Sequence, residues 1–348
     1  MDSRPCTLNA LAMIDGFSAR LPKAELHLHI EGTLEPELLF TLAERNGVTT
    51  PYRDVEHLRA AYEFTNLQSF LDVYFACTSV LRTEQDFFDL TDAYLKRAAA
   101  AGVVHAEIFF DPQAHLTRGV PFEVVIDGIW EALRASEARH GITTHLIMNF
   151  LRDRSAEEAM SVVDSAVRYG ERITAVGLDS TEAGNPPSLF TDVFARARAE
   201  GWRAGAHAGE EGPPAYVREA LDLLHVERID HGVRSLEDPE LVARLRHDRV
   251  PLTVCPLSNV RLCVVPRLED HPLRAMLDAG LCATINSDDP AYFGGYVDDN
   301  FAGVKIALDL DRASMVELAR NSFDAAFLDG ATRDRYLAQL ATFADSER

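Results

Sequence analysis

Two histidines spaced two residues apart, His27 and His29 in the run AELHLHIEG, have the types and spacing to perform chemistry. On a β-strand this spacing directs both side chains to the same face. Two imidazoles on one face can bind a single metal ion, whereas a lone histidine in such a place is usually a hydrogen-bonded structural group. We favour the ligand interpretation because further polar residues end other strand-like runs of the chain.

Two of those residues complete a ligand set. His207 lies in RAGAHAGEE and Asp288 lies in LCATINSDDP. Three neutral imidazoles and one carboxylate suit Zn²⁺ and leave a coordination position for water, so the sequence predicts one zinc ion per chain. Asp288 is also a candidate base that orients this water. It could instead cap the helix that begins at Pro290, although Asp289 fits that role better by position.

Two more residues are candidates for moving a proton. Glu210 follows His207 by three residues, and a carboxylic acid beside a metal site that is not itself a ligand is the usual proton shuttle. The neighbouring Glu211 is interpreted as a solvated loop charge. His231, in ERIDHGV, ends another strand-like run and could orient the attacking water, with a purely structural histidine as the alternative.

The elements that must position these residues alternate along the chain. Strand-like runs occupy residues 24–32, 103–112, 144–153, 173–181, 203–211, 227–233, 250–259 and 281–290. Helical patterns separate them, as at 83–102, 187–201 and 239–248. Eight βα units predict a (β/α)8 TIM barrel, in which catalytic groups converge at the carboxyl ends of the strands. An open doubly wound sheet is the alternative, but no glycine-rich dinucleotide turn follows a strand.

The long stretch between the first two strand-like runs predicts extra helices inserted after strand one, where they could cover the mouth of the barrel. No repeat, linker or block of like charges marks a domain boundary after about residue 20. We therefore expect one barrel domain over residues 1–348, with an N-terminal extension at 1–20.

The charge balance narrows the possible partners. The net charge is −21, from 55 acidic and 34 basic residues, which disfavours nucleic-acid polymers and anionic membrane surfaces. A small neutral or cationic substrate is expected instead. The sequence contains no apolar run of about 18 residues and no pattern typical of a signal peptide, and its five cysteines are scattered, which favours a cytoplasmic protein. A homo-oligomer is compatible with these features.

Other zinc patterns fit less well. The chain has no HExxH, and the H-x-E at His105-Ala-Glu107 is not followed by P-C-x-x-C. Asp179, rather than a lysine, ends the fourth strand-like run. A carboxylated lysine that bridges two metals is therefore not expected there, which again favours one metal.

With these residues assembled, the chain resembles the adenosine/adenine deaminase family. The matching text is PKAELHLHIEGT (22–33), HAGEEGPP (207–214), ERIDHGV (227–233), TVCPLSN (253–259) and NSDDPAYF (286–293). The resemblance implies a (β/α)8 barrel with zinc on His27, His29, His207 and Asp288. It also implies that Glu210 donates a proton to the purine ring, that His231 orients the attacking water and that Asp289 hydrogen-bonds purine N7.

One segment distinguishes members within this family. Members that act on adenosine have a segment similar to D-L-x-G-x-E after strand four, in which the glycine N–H lies against purine N3. This chain has GLDSTEAGNPP at 177–187, and we place Glu182 at that glycine position. A glutamate there would accept the N9–H of a free base and occupy the space of a ribose. The alternative is that Glu182 faces solvent or pairs with a loop arginine.

Asp179 and Ser180 are further candidates for substrate binding in this segment. Together with FFDPQAH (109–115) and VYFACTSVLRTEQDF (73–87), the segment resembles the adenine deaminase branch. The resemblance implies zinc-dependent hydrolysis of adenine to hypoxanthine and ammonia, as in purine salvage. The alternatives are an adenosine deaminase, a deaminase of N6-substituted or other 6-aminopurines, and a purine-binding barrel without turnover.

Overall fold

The computed structural model describes residues 16–347 and contains eight parallel strands in the order β1 to β8. The strands are β1 (Lys23–Glu25), β2 (Val103–Phe110), β3 (Thr143–Leu151), β4 (Ala175–Asp179), β5 (Arg203–Ala208), β6 (Arg228–His231), β7 (Pro251–Val254) and β8 (Cys282–Ile285). Six of the eight predicted runs contain one of these strands in full, and the runs at 24–32 and 144–153 overlap β1 and β3. Their side chains are almost entirely buried, as expected for a parallel sheet covered by helices.

The sheet curls so that its last strand returns to its first. A bridge pairs Leu28 with Asp288, and the backbone N–H of His29 donates to the carbonyl of Asp288 at 3.0 Å. Below this bridge, the Asn286 side chain accepts from the backbone N–H of Leu26 at 2.8 Å. The predicted (β/α)8 TIM barrel is therefore confirmed. Because β1 ends at Glu25, His27 and His29 lie on the extended segment that follows it.

Helices surround the strands. They are α1 (Gly16–Arg20), α2 (Pro36–Asn46), α3 (Val55–Ala60), α4 (Leu67–Thr78), α5 (Glu84–Ala100), α6 (Pro112–Leu116), α7 (Phe122–Leu133), α8 (Ser136–His140), α9 (Ala156–Ala166), α10 (Thr191–Ala199), α11 (Pro214–Glu219), α12 (Pro239–Asp248), α13 (Pro256–Arg261), α14 (Leu273–Asp278), α15 (Pro290–Phe293), α16 (Val297–Ala307), α17 (Arg312–Ala325) and α18 (Gly330–Ser346). Short 3₁₀ segments lie at Glu31–Thr33, Val167–Arg172, Pro187–Phe190, Val233–Glu237 and Leu268–Asp270, and a π-helical turn, Ala220–Leu224, continues α11.

Local chemistry sets the helix starts. Thr83 caps α5 and forms a capping box with Asp86, while Asp238 caps α12, whose first residue is Pro239. These caps satisfy backbone N–H groups that have no partner within the helix. The predicted helices at 83–102 and 239–248 therefore begin within one residue of the expected positions.

The predicted insertion after strand one is confirmed. Helices α2, α3 and α4 precede α5, and α4 begins with a capping box between Asn66 and Ser69. Of the predicted N-terminal extension, residues 1–15 lie outside the described residues and Gly16–Arg20 forms α1. Within residues 16–347, no helix is long and apolar enough to cross a membrane.

Candidate active site

The four predicted metal ligands meet at the carboxyl end of the barrel. The possible ligand atoms of His27, His29, His207 and Asp288 all lie within 4.8 Å of one another. Asp288 Oδ1 lies 3.3 Å from His27 Nε2 and 3.4 Å from His29 Nε2, and the Nε2 atoms of His29 and His207 are 3.3 Å apart. Ligand bonds of about 2.0–2.1 Å at tetrahedral angles would give a spacing of about 3.3–3.4 Å. The buried Nε2 of His27 has no hydrogen-bond partner, so these residues fit a zinc ion.

Asp230 and Thr253 contact the ring nitrogens of the ligands that face away from the metal position, and neither residue was predicted from the sequence. Asp230 Oδ2 lies 3.6 Å from His207 Nδ1, and its Oδ1 accepts from the Thr253 hydroxyl at 2.7 Å. His27 Nδ1 lies 3.0 Å from that hydroxyl. Such contacts fix the ring orientation of metal-binding histidines. The available signal was that Asp230 immediately precedes His231 at a strand end.

The pKa shifts of two of the ligands, His207 and Asp288, suit metal binding. Burial, reinforced by the neighbouring His27 and His231, lowers the pKa of His207 well below its ordinary value. Burial opposes the ionisation of Asp288, but the adjacent imidazoles outweigh it and hold the pKa of this carboxyl well below its usual range. Ser258 donates to Asp288 Oδ2 at 2.7 Å. A neutral imidazole and an ionised carboxylate are the forms that coordinate a cation.

The pKa of Glu210 is shifted in the opposite direction from that of Asp288. It is 4% exposed just beyond β5, and its Oε1 has no hydrogen-bond partner. Burial first, and then the negative charges of Asp288 and Glu182, raise the pKa of Glu210 well above its ordinary value. A carboxyl group that keeps its proton at neutral pH can act as a general acid.

His231 lies between this acid and the ligand set. Its Nε2 is 3.5 Å from Glu210 Oε2 and 3.8 Å from Asp288 Oδ2. Burial and then His27 lower the pKa of His231 to about 3, so its imidazole is neutral. The Asn259 amide lies 3.4 Å from His231 Nδ1 on the far side of the ring, which leaves Nε2 facing the two carboxyl groups.

Asp289 lies beside Asp288 on the wall of the same cavity. Burial first, and then the charge of Asp288, raise the pKa of Asp289 well above its ordinary value, and its Oδ1 has no partner. Gly32 packs so closely against this carboxyl group that a Cβ at Gly32 would collide with it. Asp289 is therefore a buried acid that can donate a hydrogen bond.

The cavity that these residues line encloses about 450 Å³ of empty space, including solvent at its mouth. Helix α4 forms an apolar wall. That wall consists of Leu67, Phe70, Leu71, Tyr74 and Phe75. The inserted helices thus cover the mouth, as the sequence predicts.

Two carboxyl groups from neighbouring regions complete the polar wall. Asp179, at the end of β4, lies 3.5 Å from His29 Nδ1 through its Oδ2. Asp111, just beyond β2, accepts from the Tyr74 hydroxyl at 3.3 Å, and burial and the charge of Glu31 raise its pKa to about 7. Asp111 and Asp179 each retain a buried oxygen without a partner. Asp111 was not predicted as a site residue from the sequence, although it directly follows the strand-like text FF at 109–110.

Three strand ends in this site turn through left-handed backbone. Ser180, His231 and Asp288 have φ values of 71°, 65° and 63°. Side chains other than glycine rarely adopt this region, and such conformations cluster at functional sites. Ser180 also lines the cavity.

The placement of Glu182 requires a correction. Its carboxylate is 1% exposed and accepts backbone N–H groups of the loop after β5, and it does not line the cavity. When the leucine of the D-L-x-G-x-E pattern is aligned with Leu178, the glycine of the pattern aligns with Ser180, which has a positive φ as a glycine often does. Glu182 then aligns with the final glutamate of the pattern. The physical reason is that four N–H donors already occupy the carboxylate.

The H-x-E pair lies at the other end of the barrel. His105 and Glu107 belong to β2, where Glu107 Oε2 accepts from Arg228 at 2.5 Å. The nearby His145 completes a cluster of possible ligands, but Arg228 and the backbone N–H of Phe327 already bind Glu107. This pair therefore belongs to a buried ion network.

Comparison with solved structures supports the geometry. A crystal structure of an adenine deaminase from Arthrobacter aurescens has 55% sequence identity and a TM-score of 0.92, and the match covers 93% of this chain and 99% of that one. An amidohydrolase from Burkholderia ambifaria, solved with bound Zn, has 28% identity and a TM-score of 0.88, covering 98% and 97% of the two chains.

Sequence comparison agrees. An adenine deaminase of Streptomyces coelicolor is 64% identical over 325 residues, which cover 93% of this chain and 96% of that protein. An adenine deaminase of Sphingopyxis alaskensis is 61% identical over 328 residues, with coverages of 94% and 96%. The family model described as adenosine deaminase matches residues 22–343. The protein therefore belongs to the adenosine deaminase family.

Proposed function

We propose that the protein hydrolyses adenine to hypoxanthine and ammonia with one zinc ion per chain. The observation that carries this proposal is the juxtaposition of a four-ligand cluster with Glu210, a buried acid whose Oε1 is free. The 61–64% identity to two proteins named adenine deaminase supports the same substrate. A cytoplasmic role in purine salvage is part of the proposal.

Zinc would be held by His27, His29, His207 and Asp288, whose spacing fits its bond lengths. When bound, it supplies Lewis acidity that lowers the pKa of a coordinated water to about 7. Asp288 and the neutral His231 face this position and orient the water for attack on C6. The apolar wall from α4 limits bulk water, which strengthens these polar interactions.

Glu210 delivers a proton to purine N1 as the ring loses aromaticity. Burial and the charge of Asp288 raise its pKa and so favour the protonated form, and its buried Oε1 has no other partner. Asp289, whose pKa is raised by burial and by the charge of Asp288, donates to the acceptor N7. Both contacts hold the ring with C6 toward the ligand cluster, and the amino group leaves as ammonia with one proton of the attacking water while the other proton restores Glu210.

Selectivity for the free base is assigned to the wall formed by Asp111, Asp179 and Ser180. Ser180 falls on the pattern position whose N–H meets purine N3. N9 neighbours N3 on the same edge of the purine, so carboxyl oxygens beside Ser180 can accept the N9–H of adenine. In a nucleoside, a ribose replaces that hydrogen and leaves the buried oxygens unpaired, which is costly.

The test is a comparison of substrates with zinc-loaded protein. We expect kcat/KM for adenine to exceed that for adenosine by more than about 100-fold, with N6-substituted adenines between or below. Equal values for adenine and adenosine would assign the protein to nucleosides, and a higher value for an N6-substituted adenine would make that its substrate. Purine binding without ammonia release would indicate a barrel without turnover.

A further inference from the structure

The carboxylate of Glu182 binds four consecutive backbone N–H groups. Its Oε1 accepts from Gly209 at 2.7 Å, and its Oε2 accepts from Glu210, Glu211 and Gly212 at 3.0, 2.9 and 2.7 Å. Among residues 16–347, the carboxylate has no salt bridge within 4.0 Å to a lysine, arginine or histidine. The backbone of the loop is therefore its principal partner, and hydrogen bonds from N–H groups to a carboxylate are stronger than those to neutral acceptors.

The sequence of this loop is adapted to that contact. Gly209 has a φ of 72°, a conformation that glycine adopts without steric cost. A Cβ on Gly212 would collide with the carboxylate of Glu182. Both glycines of the text HAGEEG are thus needed for the loop to wrap around the carboxylate.

Arg152 links the loop after β4 to the end of β5. Its guanidinium donates to the carbonyl of His207 at 2.7 Å and to the carbonyl of Asn185 at 2.8 Å. The N–H of Asn185 in turn donates to the carbonyl of Glu182 at 3.1 Å. The loops that follow β4 and β5 therefore form one hydrogen-bonded unit that carries Glu210.

We propose that Glu182 is a positioning residue that fixes the backbone of Glu210, so that the carboxyl group of Glu210 meets N1 of the substrate. The proposal rests on the proposed function, in which Glu210 is the proton donor. Displacement of a catalytic group by about 1 Å can cost on the order of 100-fold in rate. Glu182 itself does not touch the substrate, so its loss should lower kcat and leave KM nearly unchanged.

Glu182→Gln tests this proposal because it keeps the size of the side chain but replaces one oxygen with an NH₂ group that cannot accept. Glu219→Gln is the matched control, since Glu219 also accepts a backbone N–H, from Ser188 at 3.0 Å, but it is away from the cavity. For Glu182→Gln we expect kcat for adenine to fall by about 10- to 100-fold, with KM and zinc content within about twofold of the unmodified protein. Hydrogen exchange of the amides at 209–212 should accelerate at least about tenfold. The control should change none of these quantities.

Unchanged amide exchange would overturn the proposal, as would faster exchange with unchanged kcat. If Glu182→Gln does not fold, Gly212→Ala provides the same test, because it retains the charge and displaces the carboxylate. Failure of the proposed function is separate: unmodified, zinc-loaded protein that does not deaminate adenine would remove Glu210 as the donor, whereas amide exchange reports the loop contact independently of turnover.

Discussion

Both ends of the barrel bury many charged side chains, but the two ends differ in whether these side chains have hydrogen-bond or ion-pair partners. At the amino end, Glu107 binds Arg228 and the N–H of Phe327. At the carboxyl end, buried polar atoms without a partner converge on one cavity. They belong to His27, Asp111, Asp179, Glu210 and Asp289.

The difference shows in the pKa values. Burial opposes ionisation of Glu107, but the charge of Arg228 and contact with His105 outweigh it and hold the pKa of Glu107 well below its usual range. Burial is not compensated at Glu210, whose pKa is raised. A buried charge that is fully paired contributes to structure, whereas unpaired groups on a cavity wall are available to a ligand and are candidates for function.

The largest expected effect comes from His27→Ala. Removing one imidazole should reduce bound zinc from one per chain to near zero and reduce adenine deamination to background, because the remaining ligands no longer enclose the ion. Metal analysis and an ammonia assay measure this. His105→Ala, at the opposite end, is the matched histidine control and should retain zinc. If the His105 variant lost zinc and the His27 variant kept it, the metal site would have to be placed at the amino end of the barrel instead.

Glu210→Gln should lower kcat by about 10²–10⁴-fold while zinc content stays at one per chain, because the amide cannot donate the acid proton. Its unfolding midpoint should not fall, since an unpaired buried acid has been replaced by a neutral group. Steady-state kinetics and thermal unfolding provide both measurements. Activity within threefold of the unmodified protein would assign proton donation to another residue.

Arg228→Met should affect stability instead. Leaving Glu107 buried without its partner is expected to cost about 3–5 kcal/mol of unfolding free energy, while kcat/KM for adenine at 20 °C stays within a fewfold. Denaturant unfolding followed by fluorescence measures the first quantity. The double variant Arg228→Met with Glu107→Gln should recover part of the loss, because no lone charge remains. A large fall in kcat/KM with unchanged stability would contradict the division between the two ends.

Lys23 should produce the smallest effect, a pH dependence of stability. Burial lowers its pKa to about 7, against the opposing charges of Asp298 and Glu25. Between pH 7 and 10.5 the unfolded chain holds a proton that the folded chain has lost, so this contribution to stability rises with pH. Relative to Lys23→Met, the protein should gain at most about 1.4 kcal/mol per pH unit from pH 7.5 to 9.5. A constant difference across this range in urea unfolding would indicate a charged Lys23.

The spacing of polar residues and the alternation of strand-like and helical runs were sufficient to predict the barrel and the ligand cluster. The spacing of His27 and His29 places both residues by strand geometry alone, and a barrel brings the ends of distant strands together. The same reasoning predicted where His207 and Asp288 would meet them. The strand boundaries were less accurate, because β1 ends at Glu25 and the following residues are held by single bridges.

Residue spacing and strand ends could not identify residues whose roles depend on contacts with other segments of the chain. Asp230 lies beside the Nδ1 atoms of two ligands, His27 and His207, and Asp111 lines the cavity and accepts from Tyr74 of the inserted helix. Glu182 was misplaced because its type suggested a ligand contact. Its partners are backbone N–H groups, which are present at nearly every position and leave no sequence signature.

The left-handed backbone at Ser180, His231 and Asp288 also limits how this protein can be stabilised by engineering. Each conformation costs on the order of 1 kcal/mol or more in a residue with a side chain, and glycine would remove that cost. A search for thermostable variants would therefore favour glycine at these three positions and would at the same time delete a hydroxyl, an imidazole and a carboxylate from the cavity. Selection for heat resistance alone should drive this barrel toward an inert scaffold.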